Sequence, residues 1–361
     1  MPTFPGGTPI SVYPEPRIGC AASTPTPAPR VRRERIFLSA FFFFTTLPFS
    51  SGCKANASSD AARPPSPPFM AAIAIPPPQV VAATDAPSPE KTAGFDGKRA
   101  YDLVAKQVNF GPRPSGSPAI VQLQNFLETE LKSYGCTVET DSFNADTPAG
   151  RLPMKNLLVK IPGEKPGAIL LGTHYDTKRL DNFVGADDAG SSTAVMLELA
   201  RHLCTQHGRY AVWIAFFDGE EAVRKEWQDP DNRYGSRQMA ARFANSGDLK
   251  KIRAFLLADI VGGRNLRIKR ESDSTKDLVD VIWSTAARLG YTAVFVNESS
   301  PVSDDHDSFL KRNVPSADVI ALDAAADYWH TPQDAMDKIS PRSLAIVGHV
   351  FLESIKQLQS R

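Results

Sequence analysis

The feature that most constrains the fold is an apolar run without alternation, residues 210–217 (YAVWIAFF). A strand with one face in water alternates apolar and polar side chains, so an unbroken run indicates a strand that is buried on both faces. Such strands lie in sheets that helices cover on both sides. The run therefore favours an α/β fold.

The rest of the pattern alternates strands with helices. Helices are predicted at 98–108, 118–134, 191–205, 236–244, 273–289 and 341–359. Strands are predicted at 137–143, 156–161, 168–173, 210–217, 253–258, 293–296 and 317–320. This alternation predicts one globular α/β domain over 94–361, with a central mixed, mainly parallel β-sheet flanked by helices.

The region before this domain has the features of a targeting segment. Basic residues at 30–35 precede an apolar run at 36–49, and Ser-Gly then leads to Cys53. This order is typical of a secretory signal, and the run is short for a membrane span. We expect a targeting region at 1–53, with Cys53 as a lipidation candidate or cleavage nearby as the alternative. The Pro/Ala-rich residues 54–93 are predicted to be a disordered linker.

These features predict export from the cytoplasm, as a periplasmic or membrane-anchored lipoprotein or as a secreted protein. Membrane contact is expected only through the lipid anchor. A net charge of +1 gives no basic excess for binding nucleic acid, so no such partner is expected. Cys136 and Cys204 are either a disulfide or two buried thiols, and the sequence leaves this open.

Polar residues follow several of the predicted strands. They lie in the segments 172–176, 218–222 and 328–331 and at Asp259. Because ligand sites of open α/β sheets lie beyond the carboxyl ends of the strands, we expect these groups to converge. Asp187-Asp188 and Asp304-Asp305-His306 are candidates to join them.

So many carboxylates in one crevice would repel each other unless a cation were bound. Zinc is the natural choice where histidine is also available, and three ligands with an open position make a catalytic site. His330 is the best histidine ligand and His174 the second. Asp176, Asp305 and His306 are candidates for groups that orient the ligands. For any single pair of neighbouring acids, the alternative to a metal site is that the two are solvated residues of a loop.

Other catalytic signatures are missing from the sequence. It contains no HExxH, no GxSxG, no GxxxxGK loop and no GxGxxG. Their absence argues against thermolysin-like proteases, α/β-hydrolases of the usual pattern, P-loop enzymes and dinucleotide enzymes.

The motifs resemble those of the glutaminyl cyclases (glutaminyl-peptide cyclotransferases), which share a fold with co-catalytic zinc aminopeptidases. The resemblance extends from about residue 97 to the C-terminus. Its most specific parts are 216–222 (FFDGEEA) and the Trp before His330; others are 174–178 (HYDTK), 183–188 (FVGADD) and 304–306 (DDH).

The resemblance implies a role for each matched residue. It implies three zinc ligands, Asp188, Glu221 and His330. Glu220 matches the catalytic acid–base, and Asp259 and Asp304 match two aspartates hydrogen-bonded to it. Trp227 and Trp329 match the walls of the substrate pocket.

The implied reaction converts an N-terminal glutamine to pyroglutamate with release of ammonia. Zinc polarises the γ-carbonyl, the α-amine attacks, and Glu220 moves the proton. The rival is a zinc aminopeptidase, whose second zinc would be held by His174 and Asp259 with Asp188 as the bridge. One zinc ion is expected and two remain open. The expected partners are peptide or protein N-termini as substrates, and the enzyme is expected to be a monomer.

Overall fold

The computed structural model of the protein describes residues 86–361. The predicted targeting region with Cys53, and the linker up to residue 85, lie outside the described residues. The last residues of the predicted linker are folded: Pro89–Lys91 form a turn of 3-10 helix, and the fully buried Thr92 donates a hydrogen bond to the carbonyl of Phe95 at 2.7 Å. Folded structure therefore begins before the predicted boundary at residue 94.

Between residues 86 and 361 the chain forms eight strands. They are β1 (Val138–Thr147), β2 (Gly150–Ile161), β3 (Gly163–His174), β4 (Gly208–Phe217), β5 (Ile252–Asp259), β6 (Ile268–Glu271), β7 (Phe295–Ser300) and β8 (Ser316–Ile320). Six of them form the central sheet in the order β1-β2-β4-β3-β5-β8. β4, β3, β5 and β8 are parallel, whereas β1 and β2 pair antiparallel at one edge. The prediction of a mixed, mainly parallel sheet is confirmed.

The helices cover this sheet. They are α1 (Gly97–Val108), α2 (Pro118–Ser133), α3 (Gly190–Leu203), α4 (Tyr234–Ser246), α5 (Lys276–Arg288), α6 (Asp307–Leu310), α7 (Leu322–Ala325) and α8 (Pro341–Ser360). The side chain of Ser117 caps α2 by accepting a hydrogen bond from the Ile120 amide at 3.1 Å, as the Ser-Pro pair predicts. Among the described residues, no helix combines the length and apolarity that a membrane span requires.

The core lies on both faces of the sheet. In β4, Ile214 and Phe216 pack in the cluster that α1, α3 and α8 cover. Trp213 and Phe217 point the other way, into the cluster beneath α4. Both faces of β4 are therefore buried, which explains why its sequence does not alternate.

Cys136 and Cys204 form a disulfide, with their Cα atoms 5.2 Å apart. Cys136 lies just before β1, and Cys204 directly follows α3. Of the two alternatives left by the sequence, the structure therefore has the disulfide.

Candidate metal centre and active site

The predicted site residues converge at the carboxyl ends of the parallel strands. His174 is the last residue of β3, Asp259 is the last residue of β5, and Glu220 and Glu221 follow β4. Gly219 makes the turn after β4 with φ +72°, and a Cβ there would lie 2.6 Å from the Met154 sulfur. Glycine adopts this conformation without strain, and the turn carries the two glutamates that follow it.

Asp188 lies between the two histidines. Its Oδ1 is 3.3 Å from Nε2 of His174, and its Oδ2 is 3.4 Å from Nε2 of His330. Nε2 of His174 is also 3.1 Å from Oδ1 of Asp259, and Nε2 of His330 is 3.0 Å from Oε1 of Glu221. The single carboxylate of Asp188 therefore belongs to two groups of polar atoms.

Each group has the composition of a metal site. Site A is Asp188, Glu221 and His330; site B is His174, Asp188 and Asp259; within each group the ligand atoms lie within 4.8 Å of one another. Carboxylate and imidazole donors of this kind suit a divalent transition metal. With three protein ligands, each site leaves a coordination position open, so the residues fit a catalytic metal.

The histidines of both groups have a raised affinity for protons. Burial acts to lower the pKa of His330, but the hydrogen bonds that its ring donates to Asp188 and Glu221 outweigh burial and raise the pKa to about 9. Burial likewise opposes the charge of His174, yet Asp259 and Glu220 hold its pKa well above the usual value. A bound cation would displace these protons, so metal binding and histidine protonation compete.

Glu220 is buried beside the metal ligands but, among the described residues, belongs to neither group. Its Oε2 lies 3.8 Å from Nδ1 of His174. Burial raises the pKa of Glu220 well above its usual value; His174 opposes this rise, and Asp304 adds to it. A carboxyl with raised proton affinity next to a metal position can serve as a general base and then as a general acid.

The hydrogen bonds expected between Glu220 and the two aspartates are not present within residues 86–361. Asp259 contacts His174 instead, and Asp304 accepts a hydrogen bond from the Asp305 amide at 2.5 Å. Two carboxylates repel each other unless they share a proton, which explains why the imidazole is the better partner for Asp259. The acids act on each other through charge, and burial raises the pKa of Asp259 to about 7.

The three candidate orienting residues have different surroundings. Asp176 accepts hydrogen bonds from the amides of Glu220 at 3.1 Å and Glu221 at 3.4 Å, so it fixes the turn that carries both. Nε2 of His306 lies 3.2 Å from Oε2 of Glu271 in β6. Asp305 is fully buried, and neither of its oxygens accepts a hydrogen bond from a described residue. Burial therefore raises its pKa well above the usual value.

Two further residues support the metal ligands and are absent from the sequence prediction. Asp334 accepts hydrogen bonds from the amides of Asp187 at 2.7 Å and Asp188 at 3.1 Å, so the segment after His330 holds the Asp188 loop. Arg113 is fully buried and donates to the carbonyl of Gly185 at 3.0 Å in the same loop. The acid four residues after His330 was a usable signal for Asp334. The sequence carried none for Arg113, whose contact spans 72 residues.

A cavity of about 270 Å³ opens above these groups. Its lining includes Glu220, Asp304 and the ligands of site A, which we call its floor, and apolar side chains such as Ile260, which we call its walls. Trp227 and Trp329 both line it and are each 37% exposed. The Trp329 ring stacks on His330 at 3.9 Å between centroids. The structure thus brings the two predicted tryptophans to one cavity.

Comparisons with known proteins agree with this geometry. The model of peptidase family M28 matches residues 156–355. The glutaminyl-peptide cyclotransferase-like protein of Bos taurus is 30% identical over 274 residues, which cover 66% of this chain and 71% of that protein.

Solved structures give the same picture. The chain resembles an Acidobacteriales bacterium glutaminyl cyclase with 41% identity and a TM-score of 0.70, over 74% of this chain and 96% of the other. A Zn-dependent exopeptidase from Parabacteroides distasonis is similar at 28% identity and a TM-score of 0.66, over 72% of this chain and 98% of the other. The resemblance expected from the motifs is confirmed. The chain belongs to peptidase family M28.

Proposed function

We propose that this protein is a glutaminyl-peptide cyclotransferase, an enzyme that converts N-terminal glutamine to pyroglutamate and releases ammonia. The observation that carries the proposal is the position of Glu220. It lies against the ligand groups and in the floor of the cavity, yet it is free of both groups. The names of the similar proteins support the same activity.

Zinc is the proposed cofactor, with one ion at site A. When bound there, zinc would polarise the γ-carbonyl of the substrate glutamine. The donor set supports this choice, because His330 supplies an imidazole and Asp188 and Glu221 supply carboxylates. Trp329 stacks on His330 and so fixes the ring that carries the ligand nitrogen.

The remaining chemistry belongs to the side chains. Glu220 accepts a proton from the α-amine as the amine attacks the γ-carbon, and it returns that proton to the departing ammonia. Asp304 lies close enough to raise the proton affinity of Glu220. The apolar walls, with Trp227 and Trp329, hold the substrate and limit the access of water that would hydrolyse the amide.

A zinc aminopeptidase is the second candidate, because site B is complete. His174, Asp188 and Asp259 could hold a second ion beside the first. Two ions would then activate a water, with Glu220 as its base, and the substrate would lose its N-terminal residue. The exopeptidase among the similar structures favours keeping this candidate.

One assay separates the two functions. Purified protein is incubated with a Gln-initiated peptide and, separately, a Leu-initiated peptide, and the products are followed by mass spectrometry. Loss of ammonia from the Gln-initiated peptide, with the Leu-initiated peptide unchanged, supports the cyclase. Loss of a residue from either peptide would overturn it. The metal content, one or two ions per chain, is the accompanying measurement.

We also propose that the protein is exported and acts on peptide or protein N-termini. We expect it to be a monomer, and to be attached to a membrane only if Cys53 carries lipid. The disulfide supports export, because disulfides persist in oxidising compartments. Mass spectrometry of the mature N-terminus tests this: a diacylated Cys53 supports the anchor, cleavage elsewhere supports secretion, and an intact residue 1 would contradict export.

A further inference from the structure

The strongest unassigned feature is a buried arginine beside the cavity. The side chain of Arg233 is 3% exposed and lies just before α4. Its guanidinium donates to Oδ1 of Asp229 at 2.5 Å, to Oγ of Ser303 at 2.8 Å and to the carboxylate of Asp307. One side chain therefore joins the segment of Asp229 to that of Ser303, which lies 70 residues after Arg233 in sequence.

Each of these two segments contributes to the cavity lining, the first through Trp227. The first, 227–229, begins with Trp227 and ends with Asp229. The second, 301–307, contributes the residues at 301, 302, 303 and 304 to the lining. We call them wall 1 and wall 2. The hydrogen bonds of Arg233 therefore fix the separation of wall 1 from wall 2.

The backbone of Arg233 is tied to the catalytic turn as well. Its amide donates to the carbonyl of Glu220 at 2.7 Å, and the next amide, of Tyr234, donates to Gly219 at 2.7 Å. Its φ of +49° lies in the left-handed region, which residues with a side chain rarely adopt. Such a conformation persists where the surrounding contacts hold it, and it is common beside functional sites.

Both acids that Arg233 contacts would still be stabilised if the guanidinium were removed. Asp307 also accepts a hydrogen bond from Ser303 at 2.9 Å and lies 3.5 Å from the Lys311 ammonium. The Asp229 side chain is 57% exposed and keeps its hydration. Replacing the guanidinium therefore leaves no isolated buried charge, so a variant with a side chain of similar length should fold.

Resting on the cyclase function above, we propose that Arg233 is a positioning residue that sets the spacing of the two walls and so determines how tightly the residue after the substrate glutamine is held. Site A and Glu220 engage the first residue at the floor of the cavity. Because both walls line the cavity, the part of the peptide beyond the first residue would contact them. Looser walls would weaken binding while the groups that perform the reaction stay in place.

The kinetic test compares Arg233→Met with Arg233→Lys. Arg242→Met is the matched control, since Arg242 lies in α4 and contacts Glu139 and Asp141 rather than the walls. We expect Arg233→Met to raise KM about 10-fold for Gln-initiated dipeptides with a bulky second residue, while kcat changes by less than about 3-fold. The lysine variant should recover part of the loss. A fall in kcat without a change in KM, or the same effect in Arg242→Met, would overturn the proposal.

A second readout does not depend on catalysis. Quenching of tryptophan fluorescence by acrylamide is measured in each protein and in the same protein carrying Trp227→Phe. The difference between the two gives the fluorescence of Trp227 alone. Arg233→Met should make Trp227 more accessible to acrylamide, whereas Arg242→Met should not. Unchanged quenching in Arg233→Met would contradict the role of Arg233 even if the enzyme cyclises glutamine. Absence of cyclisation by the wild type, with increased quenching, would overturn only the cyclase function on which the KM effect rests.

Discussion

Glu220 and Glu221 are neighbours in sequence with different surroundings. Oε1 of Glu221 lies 3.0 Å from His330, and its Oε2 lies 3.4 Å from the ammonium of the buried Lys178. Glu220 faces Nδ1 of His174 and the acids of the cavity floor. Consecutive residues leaving a turn point in different directions, so one can ligate a metal while the other exchanges protons.

At this scale, Glu220→Gln should remove the acid–base group and leave the ligands intact. We expect kcat for a Gln-initiated peptide to fall about 10²–10⁴-fold, because general acid–base catalysis contributes that much. Metal content, measured by inductively coupled plasma mass spectrometry, should match the wild type. Retention of wild-type kcat would show that another group moves the proton.

Asp188→Ala and His330→Ala should both release metal, but to different extents. Asp188 contributes to sites A and B, whereas His330 contributes to site A alone. Substitutions of residues that only orient metal ligands typically lower metal affinity ~10–100-fold. We expect each of these two variants, which removes a ligand itself, to lower metal affinity by more than that. His207→Ala, at an exposed position outside both sites, is the control. Unchanged metal content in Asp188→Ala would rule out both sites.

At the scale of elements, the short strand β6 supplies the partner of His306. Glu271, at its end, accepts hydrogen bonds from the amides of Asp273 at 2.9 Å, Ser274 at 2.6 Å and Val302 at 3.1 Å. Val302 belongs to wall 2, so this hydrogen bond connects β6 to that wall. Burial acts to raise the pKa of Glu271, but the hydrogen bond from His306 and those from the amides outweigh it and lower the pKa to about 2.

This depressed pKa predicts a loss of stability in acid. Because the folded state favours ionised Glu271, its stabilisation is complete above the ordinary pKa of 4.5 and is lost as pH falls toward 2. Glu271→Gln does not titrate and should cost about 2 kcal/mol at neutral pH. In urea unfolding of EDTA-treated protein, the difference between wild type and variant should shrink as pH falls below 4.5. A difference that is constant with pH would contradict the assignment.

At the scale of the whole molecule, the sequence predicted what depends on pattern. The unbroken apolar run placed β4 in the middle of the sheet, and the Ser-Pro pair placed the start of α2 correctly. The four-residue elements β6, α6 and α7 carry too little periodicity to be recognised. Arg113 and Arg233 were missed because a buried arginine is defined by carbonyls and carboxylates that lie far away in sequence.

The disulfide is a second feature of the whole molecule, since it closes a loop between residues separated by 68 positions. Its reduction frees the unfolded chain more than the folded one. We expect Cys136→Ser with Cys204→Ser to lower the free energy of unfolding by about 2–4 kcal/mol. The measurement is urea unfolding of wild type and variant in oxidising buffer. In reducing buffer neither protein has the disulfide, so the two should be nearly equal in stability. Equal stability in both buffers would contradict a structural role.

The carboxylate of Asp188, with one oxygen toward each histidine, makes cation binding at sites A and B a linked equilibrium. An ion at one site draws on charge that the other site needs, and the effect on affinity is reciprocal. Zinc titration followed by calorimetry should therefore give two unequal dissociation constants. The concentration of free zinc around the enzyme would then set how many ions each chain carries.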